Sequence, residues 1–315
     1  MRILITGGAG FIGSTLADRL IKDNKIIVVD NFNNFYDVKI KEKNIALNLK
    51  NDNYKLYRGD ICDSDLIQKI FEENKIDTVV HLAAKCGVRP SLDTPLDYVN
   101  TNIYGTVNIL EKMKQFGVKK FVFASSSSVY GNCKAEKFSE DLKISEPVSQ
   151  YAATKSACEQ FVYTYSELYD ISAVCLRFFT VYGPKQRPDL AISKFVNLIM
   201  NNKPIPLYGD GSTMRDYTYV DDIVDGIVQA ISYDKTKYEI INLGGGSPVT
   251  LNNMVEAIEK VLGKRAQINH LPMQAGDVER TVSDIEKARV LLNYAPKVLF
   301  IDGIKKFVEW KLADN

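Results

Sequence analysis

Between residues 1 and 179, short apolar runs alternate with segments of helical periodicity. MRILIT, KIIVVD, YKLYRGD, TVVHLAA, KFVFASS and SAVCLRFF are separated by helical patterns at 14–22, 40–49, 64–74, 96–116 and 151–169. No other feature constrains the fold as much. A strand that is apolar at consecutive positions must be covered on both faces, and parallel neighbours need a crossover segment that packs right-handed. The pattern predicts an α/β fold, a Rossmann-type doubly wound parallel sheet. After RFFTVYGP the rhythm changes to helices at about 190–201, 223–232, 251–262, 285–292 and 301–310, with the turns YGDGS and LGGGSP between them. Residues 1–176 therefore read as the Rossmann domain, joined by part of 217–245 through the run YEIINLG. Residues 177–315 read as a smaller, mostly helical lobe, interleaved with the first and facing the substrate.

A chain of 315 residues with 45% apolar content suffices for about two domains and a sizeable core. Its 40 basic and 39 acidic residues give a net charge of +1 without a long run of either sign. No nucleic-acid footprint is present, so anionic ligands must be bound locally. The cysteines Cys62, Cys86, Cys133, Cys158 and Cys175 are scattered without CxxC spacing, which predicts reduced thiols in a cytoplasmic protein. With His81 and His270 as the only histidines, no metal site is expected, and His81 reads as a core residue. The strand-like, glycine-rich N-terminus and the lack of a run of about 18 apolar residues predict neither secretion nor membrane spanning.

The segment MRILITGGAGFIGSTLADRL places Gly7, Gly10 and Gly13 after a strand and at the start of a helix. Glycine there permits a tight turn and close backbone approach, so free N–H groups can hold a pyrophosphate. Phe11 and Ile12 fall within that turn. The second strand ends in Asp30, near the expected separation of about 20 residues, where a carboxylate accepts hydrogen bonds from a ribose diol. Asn31 follows, and the segment DNFNNFYD has no Arg to receive a 2′-phosphate, so NAD is expected over NADP. Two further strand ends lie on the carboxyl edge where ligands of such sheets sit: RGDI, with Asp60 and Ile61, and HLAA, with Leu82, Ala83 and Ala84.

In SQYAATK, Tyr151 and Lys155 stand one helical turn apart. Alone, such a pair is usually a half-buried Tyr beside a solvated Lys. Here the preceding strand ends in SSSSVYG on the same sheet edge, so Ser126, Tyr151 and Lys155 can converge beside a nicotinamide. A cation near the phenol lowers its pKa and an oxidised nicotinamide adds to that effect, which would make phenolate available as a base near neutral pH. Arg187 and Arg215 adjoin proline and glycine turns of the second lobe and suit contact with a diphosphate or carboxylate. Asp222 reads as the cap of the helix from 223. Tyr163, Tyr165 and Tyr169 read as helix packing or an interface.

Taken in order, TGGAGFIGS, VVDN, GDI, VVHLAA, SSSSVYG, YAATK, LRFFTVYGP, YGDGSTMRDYTYVDD and GDVERTVSD resemble the extended short-chain dehydrogenase/reductase family. Within it they are similar to the nucleotide-sugar epimerases and dehydratases, over nearly the whole chain. The resemblance implies a tightly held NAD, with Phe179 added to the contacts above, and a UDP-sugar in the small lobe. It implies Ser126, Tyr151 and Lys155 as catalytic residues that invert C4 through a 4-keto intermediate. A homodimer through helices 96–116 and 151–169 is also expected.

Dehydratases of this family carry Asp-Glu after the catalytic Ser or Thr; Ser127 and Ser128 stand there in this chain, which favours epimerisation without elimination. Thr180, at a position where UDP-glucose 4-epimerases usually carry Asn, resembles the UDP-glucuronate 4-epimerases, as do GVRPSL and RPD. Pro90 and the lack of a Tyr before the last Asp of GDVERTVSD depart from their pattern. The substrate contacts so implied are Arg89, Ser126, Ser127, Ser128, Thr180, Arg187, Arg215 and Asp277. A UDP-glucose or UDP-N-acetylglucosamine 4-epimerase is the alternative, followed by a dehydratase or decarboxylase and a catalytically silent NAD-binding protein.

Overall fold

The computed structural model describes residues 1–273 and 278–314. Seven strands build the central sheet: β1 (Arg2–Thr6), β2 (Lys25–Asp30), β3 (Tyr54–Arg58), β4 (Thr78–His81), β5 (Lys120–Ser126), β6 (Ser172–Phe178) and β7 (Tyr238–Leu243). Their order is β7-β6-β5-β4-β1-β2-β3, and every pairing is parallel. Along β1, Ile3 and Ile5 point into one core and Leu4 into the other. Helices Phe11–Leu20 and Val220–Ser232 cover the first face; Ser64–Glu73, Gly105–Phe116 and Gln150–Tyr169 cover the second. Burial on both faces is why the strands carry unbroken apolar runs. The winding direction reverses between β1 and β4, which opens a crevice at their carboxyl ends.

Local chemistry sets the element ends. Asp63 caps helix Ser64–Glu73 by accepting from Asp65 N (3.1 Å) and Leu66 N (3.0 Å), and Ser149 caps helix Gln150–Tyr169 by accepting from Ala152 N (3.1 Å). The helix expected over 96–116 is not continuous. Pro95–Tyr98 is one α-turn, Val99–Tyr104 winds as a π-helix, and the α-helix resumes at Gly105–Phe116. The wider turn brings Asn102 inward, where its amide accepts from Lys85 N (2.7 Å) and donates to Lys85 O (3.1 Å) and Thr154 Oγ1 (3.0 Å). Such a turn answers to partners distant in sequence, so hydrophobic periodicity does not show it.

Helix Val220–Ser232 likewise begins earlier than 223, with Tyr219 at its N-cap. Asp222 is therefore not a cap: it lies inside the first turn and accepts from Lys297 N (3.0 Å) and Val298 N (3.2 Å), tying down the C-terminal segment. Beyond β6 the other helices are Ala191–Met200, Leu251–Leu262, Glu286–Leu292 and Phe300–Asp314. Three short strand pairs join them: Thr180–Tyr182 with Tyr217–Tyr219, Ile205–Tyr208 with Ile268–Leu271, and Met214–Arg215 with Val249–Thr250. The core under β1 runs on into this region through Phe195, Val196, Ile205 and Met254. Among the described residues no helix is long and apolar enough to cross a membrane.

Candidate active site

The crevice at the carboxyl edge is a cleft of about 790 Å³. At its base Gly7 turns the chain with φ +70°, a left-handed conformation, and a Cβ there would stand 2.8 Å from Ala83 N. A Cβ on Gly13 would meet the Gly7 carbonyl oxygen and stand 2.8 Å from Gly8 Cα, so only glycine lets the helix start this close to the strand. Gly10 is the N-cap of helix Phe11–Leu20 and has no side chain with which to cap it. The first-turn N–H groups are thus left to an anionic ligand. Gly7, Gly10, Phe11, Ile12 and Gly13 all line the cleft.

At the next strand end, Asp30 is buried. It accepts from Ala9 N (3.1 Å) and Phe32 N (2.8 Å), and pairs with Lys41 Nζ at 3.3 Å. Asn31, Ile61, Leu82, Ala83 and Ala84 line the same end, whereas Asp60 stands behind it, accepting from Asn31 Nδ2 (2.7 Å) and Cys62 N (2.9 Å). Against the opposing effect of burial, those two donors hold the Asp60 carboxyl below its ordinary value. His81 is a core residue: fully buried, it bonds Thr6 Oγ1 (2.7 Å) and Thr106 Oγ1 (3.0 Å), and burial pushes its pKa down to about 3.

Ser126, Tyr151 and Lys155 meet at the other end of the cleft. Ser126 ends β5, where its hydroxyl accepts from Ser128 N (3.2 Å) and donates to Ser128 Oγ (3.1 Å). Lys155, 3% exposed, donates to Ala124 O (2.7 Å) and lies over the Phe123 ring at 4.8 Å. Burial pushes the ammonium below its ordinary value. Burial also pushes the Tyr151 phenol up, as does the nearby Cys86, while Ser126 and Arg187 pull it down. Among the protein's own groups burial thus works against the expected lowering, which draws also on an oxidised nicotinamide. A half-buried aromatic ring loses more by desolvating its charged form than one hydroxyl and one cation return.

Thr180 and Ser128 line this end, as does Phe179, while Ser127 opens the short helical turn behind them. Arg187 reaches in from the lobe, with its guanidinium on both Asp189 oxygens (3.0 and 2.8 Å) and 5.2 Å over the Phe35 ring. Arg89 lies outside the lining, over the Tyr208 ring at 5.3 Å, and Arg215 donates to Met214 O (2.8 Å). Asp277 lies outside the described residues. Among those described, the carboxylates lining the cleft are Asp30 and Asp97, the latter paired with Lys85. Sequence reasoning missed Lys41, Tyr36, Lys85 and Cys86, which all line the cleft. Lys41 had a signal: it stands four residues before Ile45 on the buried face of helix Val38–Ile45, where a lysine needs a partner.

The profile of the GDP-mannose 4,6 dehydratase family matches residues 4–307. The chain belongs to this family of extended short-chain dehydrogenase/reductases. A UDP-glucuronate 4-epimerase of Thermodesulfobacterium geofontis is 45% identical over 309 residues, 98% of this chain and 95% of that protein. Among solved structures, the UDP-glucuronic acid 4-epimerase from Bacillus cereus, in complex with UDP-glucuronic acid and NAD, superposes with a TM-score of 0.94. It shares 37% identity over the full length of both chains. A UDP-glucose 4-epimerase from Thermotoga maritima, with UDP-glucose, gives 0.92 at 32% identity, covering 100% of this chain and 99% of that one. In this member of the dehydratase-like family, Ser127 and Ser128 follow Ser126, so no acidic pair stands after that serine.

Proposed function

We propose that the chain is an NAD-dependent UDP-glucuronate 4-epimerase that interconverts UDP-glucuronate and UDP-galacturonate. The observation that supports this most is that Ser126, Tyr151, Thr180 and Arg187 line one cleft with the glycine turn. A proton acceptor, hydroxyl donors and a cation suited to a carboxylate thus share a wall with a dinucleotide site. The relatives that bear this name, at 45% and 37% identity over almost the whole chain, add weight.

The cleft fits NAD: Gly7 and Gly13 have no room for a Cβ, the helix start has no side-chain cap, and Asp30 is buried at the second strand end. When bound, NAD supplies the reversible hydride acceptor that inversion at C4 without net redox change requires. The N–H groups of Phe11 and Ile12 would hold its pyrophosphate, Asp30 and Asn31 its adenosine ribose, and Lys155 its nicotinamide ribose. Tyr151 Oη takes the proton of the sugar C4 hydroxyl and returns it after the 4-keto sugar has turned over. Ser126 Oγ hydrogen-bonds the C4 oxygen throughout. Because burial disfavours the phenolate, the pull of Ser126 and Arg187 on Tyr151 is part of what makes it a base.

Oxidised at C4, a uronate is a β-keto acid prone to lose carbon dioxide, so its carboxylate must be gripped as well as bound. Thr180 and Ser128, which line the cleft, supply hydroxyls for this without an acid that could protonate a carbanion, and Arg187 supplies the charge. Arg89 would be the second cation for the carboxylate, Arg215 would contact the diphosphate, and Asp277 would serve the uridine side.

The division of labour follows the chain, with residues 1–176 and part of 217–245 holding the dinucleotide and 177–315 the sugar nucleotide. A homodimer is supported by exposed apolar side chains that gather on the segments around 92–104 and 161–168: Leu96, Val99, Tyr104, Phe161, Tyr163 and Leu168. A cytoplasmic setting is supported by five free cysteines. The test is C4 inversion followed by proton NMR on both UDP-sugars. We expect kcat/KM for UDP-glucuronate to exceed that for UDP-glucose by about tenfold or more, since a site built to pair a carboxylate penalises a neutral hydroxymethyl. Equal or better kcat/KM for UDP-glucose would replace the uronate assignment with a UDP-hexose 4-epimerase.

A further inference from the structure

At the end of the second strand the sequence suggests one charged group lining the cleft, Asp30; the structure adds Lys41 beside it. Lys41 and Asp30 are each 5% exposed, and both line the cleft. Lys41 Nζ stands 3.3 Å from Asp30 Oδ1 and 3.5 Å from Asn33 Oδ1, and lies 5.4 Å over the Tyr36 ring. The same carboxylate takes the Phe32 N–H on Oδ1 (2.8 Å) and the Ala9 N–H on Oδ2 (3.1 Å). Three N–H donors therefore converge on one anion.

A lysine buried this far keeps its charge only beside a counter-ion, because an unpaired ammonium is costly to desolvate. The pair is neutral as a unit, so a ribose diol approaching it meets no net charge from these two groups. Rejection of a 2′-phosphate then has a second origin beyond repulsion by Asp30. The donors that would hold a phosphate are already taken up by the carboxylate. We propose that the Asp30–Lys41 pair sets dinucleotide selectivity: paired with Asp30, Lys41 leaves a site for a 2′-hydroxyl, and released from Asp30 it forms a 2′-phosphate site with the Ala9 and Phe32 N–H groups. This inference rests on the dinucleotide reading above. Arg58 is a poor substitute: its guanidinium lies 4.0 Å over the Phe32 ring, but it pairs with Glu42 at 3.3 Å and its side chain is 53% exposed.

The test compares the parent with Asp30→Ala, Lys41→Met and the double variant, using two readouts that do not depend on turnover. One is the dinucleotide that co-purifies, identified by chromatography after acid release. The other is the binding of added NAD and NADP, measured by thermal shift. Asp30→Ala removes the carboxylate and makes room, so the ratio of NADP to NAD affinity should rise about tenfold to hundredfold over the parent, as expected for a charge-assisted hydrogen bond gained. The double variant should lose that gain, and Lys41→Met alone should keep NAD preferred. An unchanged ratio in Asp30→Ala, or NADP binding as tight in the double variant as in the single one, would overturn the proposal. If Asp30→Ala lacks a cooperative melt, Asp30→Asn repeats that arm with the side-chain volume kept. A parent that binds neither dinucleotide overturns the dinucleotide assignment itself. That outcome is distinct from a parent that binds NAD while the ratio stays fixed across the variants.

Discussion

Replacing Glu159 by Gln should destabilise the protein far more than its single lost charge suggests. Glu159 lies one turn beyond Lys155 on helix Gln150–Tyr169 and is 0% exposed. Its carboxylate takes Arg177 Nε (2.9 Å) and Nη2 (2.8 Å) and the Ser125 hydroxyl (2.5 Å). The helix that carries Tyr151 and Lys155 is thereby tied to the ends of β5 and β6. Glutamine keeps the shape but leaves the Arg177 guanidinium, 2% exposed, without its counter-ion. Breaking a buried pair from one side costs about 3–5 kcal/mol. With about 2.1 cal/mol/K of unfolding entropy per residue over 315 residues, that is a fall in Tm of roughly 5–8 °C. Scanning calorimetry at pH 7 reads it directly. The double variant Glu159→Leu/Arg177→Met, which removes both charges, should recover most of the loss. If Glu159→Gln melts within about 1 °C of the parent, or the double variant is no better than the single one, the buried charge is not what makes this junction costly to disturb.

Three further outcomes follow from the site. Tyr151→Phe should fold and retain NAD while losing about a hundredfold or more in turnover, and near-parental turnover would remove Tyr151 from the proton transfer. Gly13→Ala places a methyl 2.8 Å from Gly8 Cα, so the purified variant should carry much less NAD by acid release; parental content would mean that the turn is not a phosphate cradle. Arg187 opposes the burial that raises the Tyr151 phenol, so Arg187→Met should raise it further. A base with a higher pKa is less deprotonated at a given pH, so the rise of kcat/KM with pH should move to more alkaline values. A profile that stays in place would show that Arg187 does not act on the phenol.

What the sequence settled by itself is local. Unbroken apolar runs require strands covered on both faces, a glycine at φ +70° permits the turn under Ala83, and the i, i+4 spacing puts Tyr151 and Lys155 on one face of a helix. Each depends on neighbours a few residues away, which periodicity and residue type record. Folding decided the rest, because it turned on polar groups that find one another only when helices dock. Lys41 meets Asp30, Arg177 meets Glu159, and Asn102 turns inward through a π-turn to hold Lys85 and Thr154. Arg187 and Arg215 look alike in sequence, yet one lines the cleft and the other does not. The state of the Tyr151 phenol was likewise beyond the motif. Residue types suggested a cation and an oxidised nicotinamide to lower it, and burial, which only the packed chain has, pushes it the other way.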